Sequence, residues 1–307
     1  MAKSLNTYFI NCRWSDDIMS VILLGLLLAL FSTILILVHK KSLVKTSPLF
    51  MAASYSFINL IFALILIPWV NFNFDKRLFL LVYSISWLGL GGFYYISAAI
   101  KKGEISSVEP LGNLEPILVA FLAFVILGET ITRLQIFGIF LIVLGSYNLE
   151  TRHFTHFKET INHIIKSKYI YFIFVGLLLY GFSSIGDKVV LGHNVTPITY
   201  LFMINFGIGF NNLIIISLRK KGFKEIKKTF KTCGKWILFA SCVSIILRLT
   251  QFIAFTLGSI AIILSLKRVS GLFSVIIGGE LFHEHNLKKK IISSLIMIFG
   301  VILVTVG

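Results

Sequence analysis

Residues 25–32 read Gly25-Leu-Leu-Leu-Ala-Leu-Phe31-Ser32, and residues 176–183 read Gly176-Leu-Leu-Leu-Tyr-Gly-Phe182-Ser183. Ser47-Pro48 is answered by Thr196-Pro197. At a constant offset of 155 residues, Ala99 matches Ala254, Gly103 matches Gly258, Glu129 matches Glu284 and Gly145 matches Gly300. The matches keep their order along the chain, so the sequence reads as a duplication.

Both copies are strongly apolar. Of 307 residues, 57% are hydrophobic and only 14% charged, with a mean hydropathy of +0.91. A soluble domain carries about 25% charged residues, and a chain this apolar cannot cover itself with polar surface in water. Ten apolar runs are long enough to cross about 30 Å of hydrocarbon. They lie near 19–38, 49–70, 78–100, 105–127, 134–149, 169–190, 197–218, 236–256, 259–281 and 289–306. The eighth and ninth nearly touch, which predicts a tight turn at Gly258-Ser259. The first run is long and follows polar residues without a small-x-small cleavage site, so it reads as an uncleaved helix.

Five runs per copy is an odd number, so the second copy enters the membrane from the opposite side. The predicted fold is all-α and integral to the membrane, with ten transmembrane helices in two inverted five-helix repeats. A polar segment (1–18) precedes the first repeat (19–149); an amphipathic linker (150–168) joins it to the second (169–307). Inverted repeats characterise secondary transporters, because two similar halves of opposite orientation can exchange shapes about a midplane site. Residues 219–235 carry eight Lys/Arg interleaved with Phe223, Ile226 and Phe230. They read either as a helix in the head-group layer or as a charged loop.

The net charge is +16. The basic residues lie mainly between apolar runs, with no RNA-binding or zinc-finger pattern, so membrane lipids with anionic head groups are the expected partners and nucleic acid is not. Loops after odd-numbered runs hold about 20 Lys/Arg and the rest, with both termini, about 6. Positive-inside counting therefore puts both termini outside. Cys12, Cys233 and Cys242 form neither an even framework nor a CxxC pair. His283-Glu284-His285 is not a zinc-binding HExxH, since i and i+2 side chains diverge on a helix. Walker A and GxSxG motifs are absent. No cofactor or metal is implied.

The segment Leu114-Glu115-Pro116-Ile-Leu-Val-Ala-Phe, followed by Leu127-Gly128-Glu129-Thr-Ile-Thr and by Gly138 and Gly145, resembles the fourth and fifth helices of EamA-type carriers of the drug/metabolite transporter superfamily. Ser270-Gly271-Leu-Phe, Glu284 and Ile298-Phe299-Gly300 resemble the second copy more weakly. The resemblance implies a ten-helix basket in the cell membrane that moves a small organic solute, an amino acid or related metabolite, most often outward. Three departures stand out. Gly271 replaces the family's helix-breaking Pro, His283 replaces the Gly before its Glu, and Lys267-Arg268 occupy a span expected to be small or apolar.

Charges within apolar runs cost at least about 2.5–3.5 kcal/mol each and ask for a function. At 1.5 Å per residue, Glu115 lies about 15 Å along the fourth run and Arg248 about 18 Å along the eighth. Glu109, Lys267 and Arg268 lie somewhat nearer the ends. The fourth and ninth runs are repeat mates, which aligns Asn113 with Arg268. Glu115, Arg268, Arg248, Lys267, Glu109, Asn113 and Gln251 are therefore the candidate solute or proton pathway. Glu115 is expected to pair with Arg268 or Arg248, and the surplus positive charge to attract a solute carboxylate. A buried Glu115 is also a candidate carrier of a coupling proton. A structural ion pair that only fastens helices is the alternative for this group. Pro110 and Pro116 each free a carbonyl one turn back and predict a kinked fourth helix. Gly112 and Gly271 permit bending or close packing. Asp187-Lys188 reads as a local pair, and Asn59, Asn205, Asn211 and Asn212 as interhelical hydrogen-bonders. Two readings of other classes stay beside the carrier: a non-transporting membrane receptor or scaffold, and a polytopic lipid-modifying enzyme.

Overall fold

The matched Ser-Pro and Thr-Pro pairs do the same work in the two halves. Ser47 caps one helix, its Oγ accepting from the Phe50 N–H at 3.4 Å, and Thr196 caps the other, its Oγ1 accepting from the Thr199 N–H at 3.3 Å. Pro48 and Pro197 follow at the first helical position, where a missing N–H costs nothing. The computed structural model describes residues 16–72, 75–122, 132–150, 168–193, 195–257, 260–283 and 285–306. The turn at Gly258-Ser259, the linker 151–167, Glu129 and Glu284 lie outside them.

Among the described residues every regular element is helical. The helices are α1 (Asp16–Lys45), α2 (Pro48–Ile65), α3 (Lys76–Lys102), α4 (Ile105–Leu111), α5 (Glu115–Leu122), α6 (Arg133–Glu150), α7 (Lys168–Leu191), α8 (Pro197–Ser217), α9 (Gly222–Leu257), α10 (Ile260–Leu281) and α11 (Leu287–Val306). Six of them, α1, α2, α3, α7, α8 and α9, contain stretches long and apolar enough to cross a membrane, and Arg133–Gly145 and Val269–Leu281 are shorter apolar stretches. Large side chains such as Leu30, Phe140 and Phe299 face outward, as hydrocarbon surroundings require.

Two elements sharpen the expectation. Residues 222–235 continue without a break into the eighth apolar run, so α9 is 36 residues long. Ile226, Thr229, Cys233, Ile237 and Ala240 are buried at helical spacing along one side, and this packing settles helix over loop. The fourth run is divided into α4 and α5 by a 3₁₀ turn, Gly112–Leu114. Pro116 has no N–H to give the Gly112 carbonyl, and the Glu115 N–H bonds that carbonyl in its place. The shift from i+4 to i+3 bonding marks the break.

The packing has a particular order. Helix α1 lies on α9 and α10, α7 lies on α3 and on α4–α5, and α2 and α3 meet α9 and α8 respectively. Exchanging the halves, α1 for α7, α2 for α8, α3 for α9, α4–α5 for α10 and α6 for α11, turns each of these contacts into another on the same list. The contacts α2–α8, α4–α10 and α6–α11 map onto themselves. Single residues obey the same exchange. A Cβ added at Gly138 would stand 2.7 Å from the Gly300 carbonyl, and one added at Gly145 would stand 3.0 Å from the Ser293 carbonyl. The offset of 155 carries 138 onto 293 and 145 onto 300. Buried amides also join helices: Asn211 donates to Ser86 and Asn212 to Ser56, whereas Asn205 bonds within its own helix.

The turn between α3 and α4 is held from three sides. Lys40 Nζ donates to Ile100 O at 2.7 Å and to Gly103 O, and Lys101 Nζ donates to Thr46 O. Lys290 Nζ donates to Ser106 Oγ at 2.7 Å and pairs with the Glu104 carboxylate. The Lys290 side chain is 8% exposed and that of Glu104 46%, so the two partners are not equivalent. Glu104→Leu takes the counter-charge from a buried ammonium and leaves it the Ser106 hydroxyl, while Lys290→Met leaves a carboxylate that water can reach. The first substitution is expected to cost about 1–3 kcal/mol and the second clearly less. Equal melting temperatures for the two variants in detergent would contradict this assignment.

Candidate functional site

Helical spacing gathers the polar groups of the interior. Tyr180, Ser183 and Asp187 share a face of α7, Ser244, Arg248 and Gln251 share a face of α9, and Tyr55 and Asn59 share a face of α2, each at i, i+3 or i+4 steps. Asp187 is buried, and the hydroxyl of the fully buried Tyr200 on α8 donates to its Oδ1. Tyr200 packs on Phe252 of α9 with ring centroids 4.8 Å apart. Tyr55 stacks on Phe93 at 5.1 Å, and the edge of His39 completes the group at 5.0 and 5.3 Å. This aromatic cluster buries Tyr55 on the same interior face as Asn59 of its own helix.

Arg248 stands among these groups. It interacts electrostatically with Asp187, Lys267 and the phenols of Tyr55, Tyr180 and Tyr200. Among the described residues its guanidinium makes no hydrogen bond and no ion pair within 4 Å. Lys267, on α10, donates to Gln251 Oε1 at 2.8 Å. It is attracted by Glu109 and Asp187 and repelled by Arg248. The site thus has a frame of phenols and amides around a guanidinium fork that makes no hydrogen bond among the described residues.

The other sequence-predicted residues fall around this centre. Glu109 lies on α4 and acts electrostatically on Lys267. Gly271 of α10 passes the same turn, where an added Cβ would lie 3.8 Å from the Glu109 carbonyl; that is ordinary van der Waals contact, so Gly271 is not needed there for close approach. Glu115 is buried at the start of α5. Asn113, in the 3₁₀ turn beginning at Gly112, is 1% exposed, and neither its Oδ1 nor its Nδ2 has a hydrogen-bond partner. A buried amide with both ends unsatisfied costs several kcal/mol in a static apolar setting, so it suits a position that a polar solute or water visits. The side chains of Arg268, Pro110 and Pro116 lie outside the description.

Asp187 is the functional candidate that sequence reasoning passed over. Its neighbour Lys188 suggested a local pair, yet adjacent residues on a helix do not face each other. Asp187 points inward to Tyr200, and Lys188 is exposed. The available signal was its position inside an apolar run. Counting it changes the balance: three carboxylates (Glu109, Glu115, Asp187) now stand in the interior runs with three cations (Arg248, Lys267, Arg268), where two against three were expected. Tyr55, Tyr180 and Tyr200 carry no sequence signal that separates them from ordinary packing aromatics.

Comparison with known proteins follows the same line. Residues 19–149 match the EamA-like transporter family, which bears out the resemblance read from Leu114–Phe121 and Leu127–Thr132. No curated protein matches the chain. One solved crystal structure is similar over 94% of this chain and 97% of its own, with a TM-score of 0.61 and 13% sequence identity; at that identity the likeness is one of fold. The family match and the long apolar helices make the chain an integral membrane protein and point to transport.

Proposed function

We propose that an EamA-like first half and its inverted partner form a ten-span secondary carrier of the cell membrane, which exports a small organic solute by alternating access. Three features support this reading: the helix contacts that interchange between halves, the paired caps at Ser47 and Thr196, and the reciprocal close approaches at Gly138 and Gly145. Halves that pack on each other in two equivalent ways can trade conformations with little net change in energy, which is what a reversible carrier needs.

The observation that carries the functional reading is the uncommitted guanidinium of Arg248 in a buried polar frame. A fork with free donors recognises a carboxylate in two parallel hydrogen bonds. Asp187, Glu109 and Glu115 supply negative charge for an amino group at the other end of the same solute. Balanced interior charge favours a zwitterion over a simple anion, so amino acids and their close relatives are the proposed cargo. Glu115, at the broken fourth span, is the proposed carrier of a coupling proton.

Counterflow into proteoliposomes tests the proposal. Purified protein is expected to accumulate one labelled solute class from a panel of amino acids and related metabolites, faster with a pH gradient than without. Glu115→Gln is expected to keep solute exchange and lose most of the gradient's stimulation. A variant that still responds fully to the gradient removes Glu115 from the proton path. Binding without flux for a solute that binds tightly would make the protein a receptor instead, and a chemically altered solute would make it an enzyme.

A further inference from the structure

One end of the molecule concentrates positive charge in a way that neither the solute site nor helix packing explains. Lys41 and Lys45 are one turn apart near the end of α1, and Lys231 and Lys235 are one turn apart on α9; all four are exposed. The two helices run side by side here. Lys41 Nζ sits 4.0 Å above the Trp236 ring, Cys233 Sγ lies 3.8 Å from the Ser42 carbonyl, and Lys45 acts electrostatically on Cys233. The lysines are therefore held together by buried neighbours between them. Among the described residues none of the four has an ion pair. The sole acid between residues 219 and 257 is Glu225, almost two turns before Lys231.

Four like charges on adjoining turns of two packed helices repel one another, and an anion that bridges them relieves the repulsion. The surface next to them says which kind of anion. From Lys235 the same face of α9 continues through Phe239, Cys242 and Ile246, all exposed, with Trp236 and Leu238 alongside. Charge thus gives way to apolar surface within one helical turn. Length agrees with this. A helix of 36 residues is about 54 Å long, roughly 24 Å more than the hydrocarbon thickness. If residues 236–257 cross the hydrocarbon, Trp236 lies at its edge, where tryptophan is favoured, and the lysines lie at head-group level.

We propose that Lys41, Lys45, Lys231 and Lys235 form a docking site for the phosphate head group of an anionic phospholipid, whose chains run along Phe239, Cys242 and Ile246. A soluble anion fits the lysines but leaves the apolar track uncovered; a lipid covers both. Because α9 continues unbroken from Lys231 to Arg248, occupancy of this site bears on the helix that presents the proposed solute-binding guanidinium.

Native mass spectrometry of the full-length protein with phosphatidylglycerol and phosphatidylcholine of identical chains tests the site. The wild type is expected to retain phosphatidylglycerol about tenfold more strongly. In K45Q/K231Q/K235Q, which keeps the Lys41–Trp236 contact, the preference is expected to fall to within about twofold, with the melting temperature in phosphatidylcholine unchanged, since the substituted side chains are exposed. The single variant K231Q is expected to lose about twofold, its share of a tenfold preference divided among four lysines, each contributing less than the full attraction of one basic residue to an anionic surface. An undiminished preference in the triple variant overturns the proposal. So does full displacement of the lipid by millimolar inorganic phosphate, which would make the lysines a site for soluble anions.

Discussion

Arg248→Gln is expected to raise the half-saturating solute concentration in counterflow by about thirtyfold or more. Removing one partner from a buried, charge-assisted pair costs about 2–5 kcal/mol, and each 1.4 kcal/mol is a factor of ten. The substitution removes the fork and the charge and leaves a shorter, neutral amide. No existing ion pair is broken within the described residues, because Arg248 has none; stability in detergent is therefore expected to change little, and the loss should appear in transport. Arg248→Lys is the sharper variant. It retains the charge but replaces a planar fork with a point donor, so it is expected to recover only part of the affinity. If Lys restored full affinity, long-range charge alone would be at work and the bidentate contact would be wrong. If Gln transported normally, the solute site would lie elsewhere.

The second large effect concerns the junction of the halves. Gly138→Ala and Gly300→Ala are each expected to lower the melting temperature, although alanine is the better helix former by about 1 kcal/mol. Sterics decide the sign. A Cβ at Gly138 would stand 2.7 Å from the Gly300 carbonyl and 2.8 Å from the Val304 nitrogen, and a Cβ at Gly300 would stand 2.7 Å from the Gly138 carbonyl. These are main-chain atoms, which yield only if α6 and α11 part. Overpacking costs about 1–3 kcal/mol, which exceeds the propensity gain over most of that range. The double variant is expected to cost less than the sum, because parting the helices once relieves both clashes. Gly234→Ala provides the opposite sign. Its Cβ would meet only Phe230, at 3.9 Å, so propensity prevails and the protein is expected to gain stability. Melting curves of the three single variants, read by fluorescence-detected gel filtration, separate the two effects. Stabilisation by all three would mean that the α6–α11 approach is looser than described here.

Both predictions begin from features of unequal legibility. Gly300 was visible as the repeat mate of Gly145 at an offset of 155, and Gly138 as part of the family-like segment, but a glycine in a membrane helix has several uses, and only the packing revealed that Gly138 and Gly300 face each other's carbonyls. Arg248 was visible because a charge inside an apolar run is costly. Its surroundings were not: Tyr55, Tyr180, Tyr200 and Asp187 come from three helices, and no spacing along the chain joins them.

The sequence by itself determined the helical class, the long apolar helices and the matched Ser47-Pro48 and Thr196-Pro197 pairs at which α2 and α8 open. It did so because hydropathy, proline placement and side-chain capping act within a few residues of one another. It also marked the break in the fourth run, since a proline's missing donor is a local fact. Tertiary structure alone decided which faces meet. It extended α9 through residues 222–235 by burying Ile226 and Cys233, turned Asp187 away from Lys188 toward Tyr200, and set Lys41 over Trp236. In each case the deciding free energy comes from a partner distant along the chain, through burial, a hydrogen bond or a cation held against a ring, and the order of residues does not encode that partner locally.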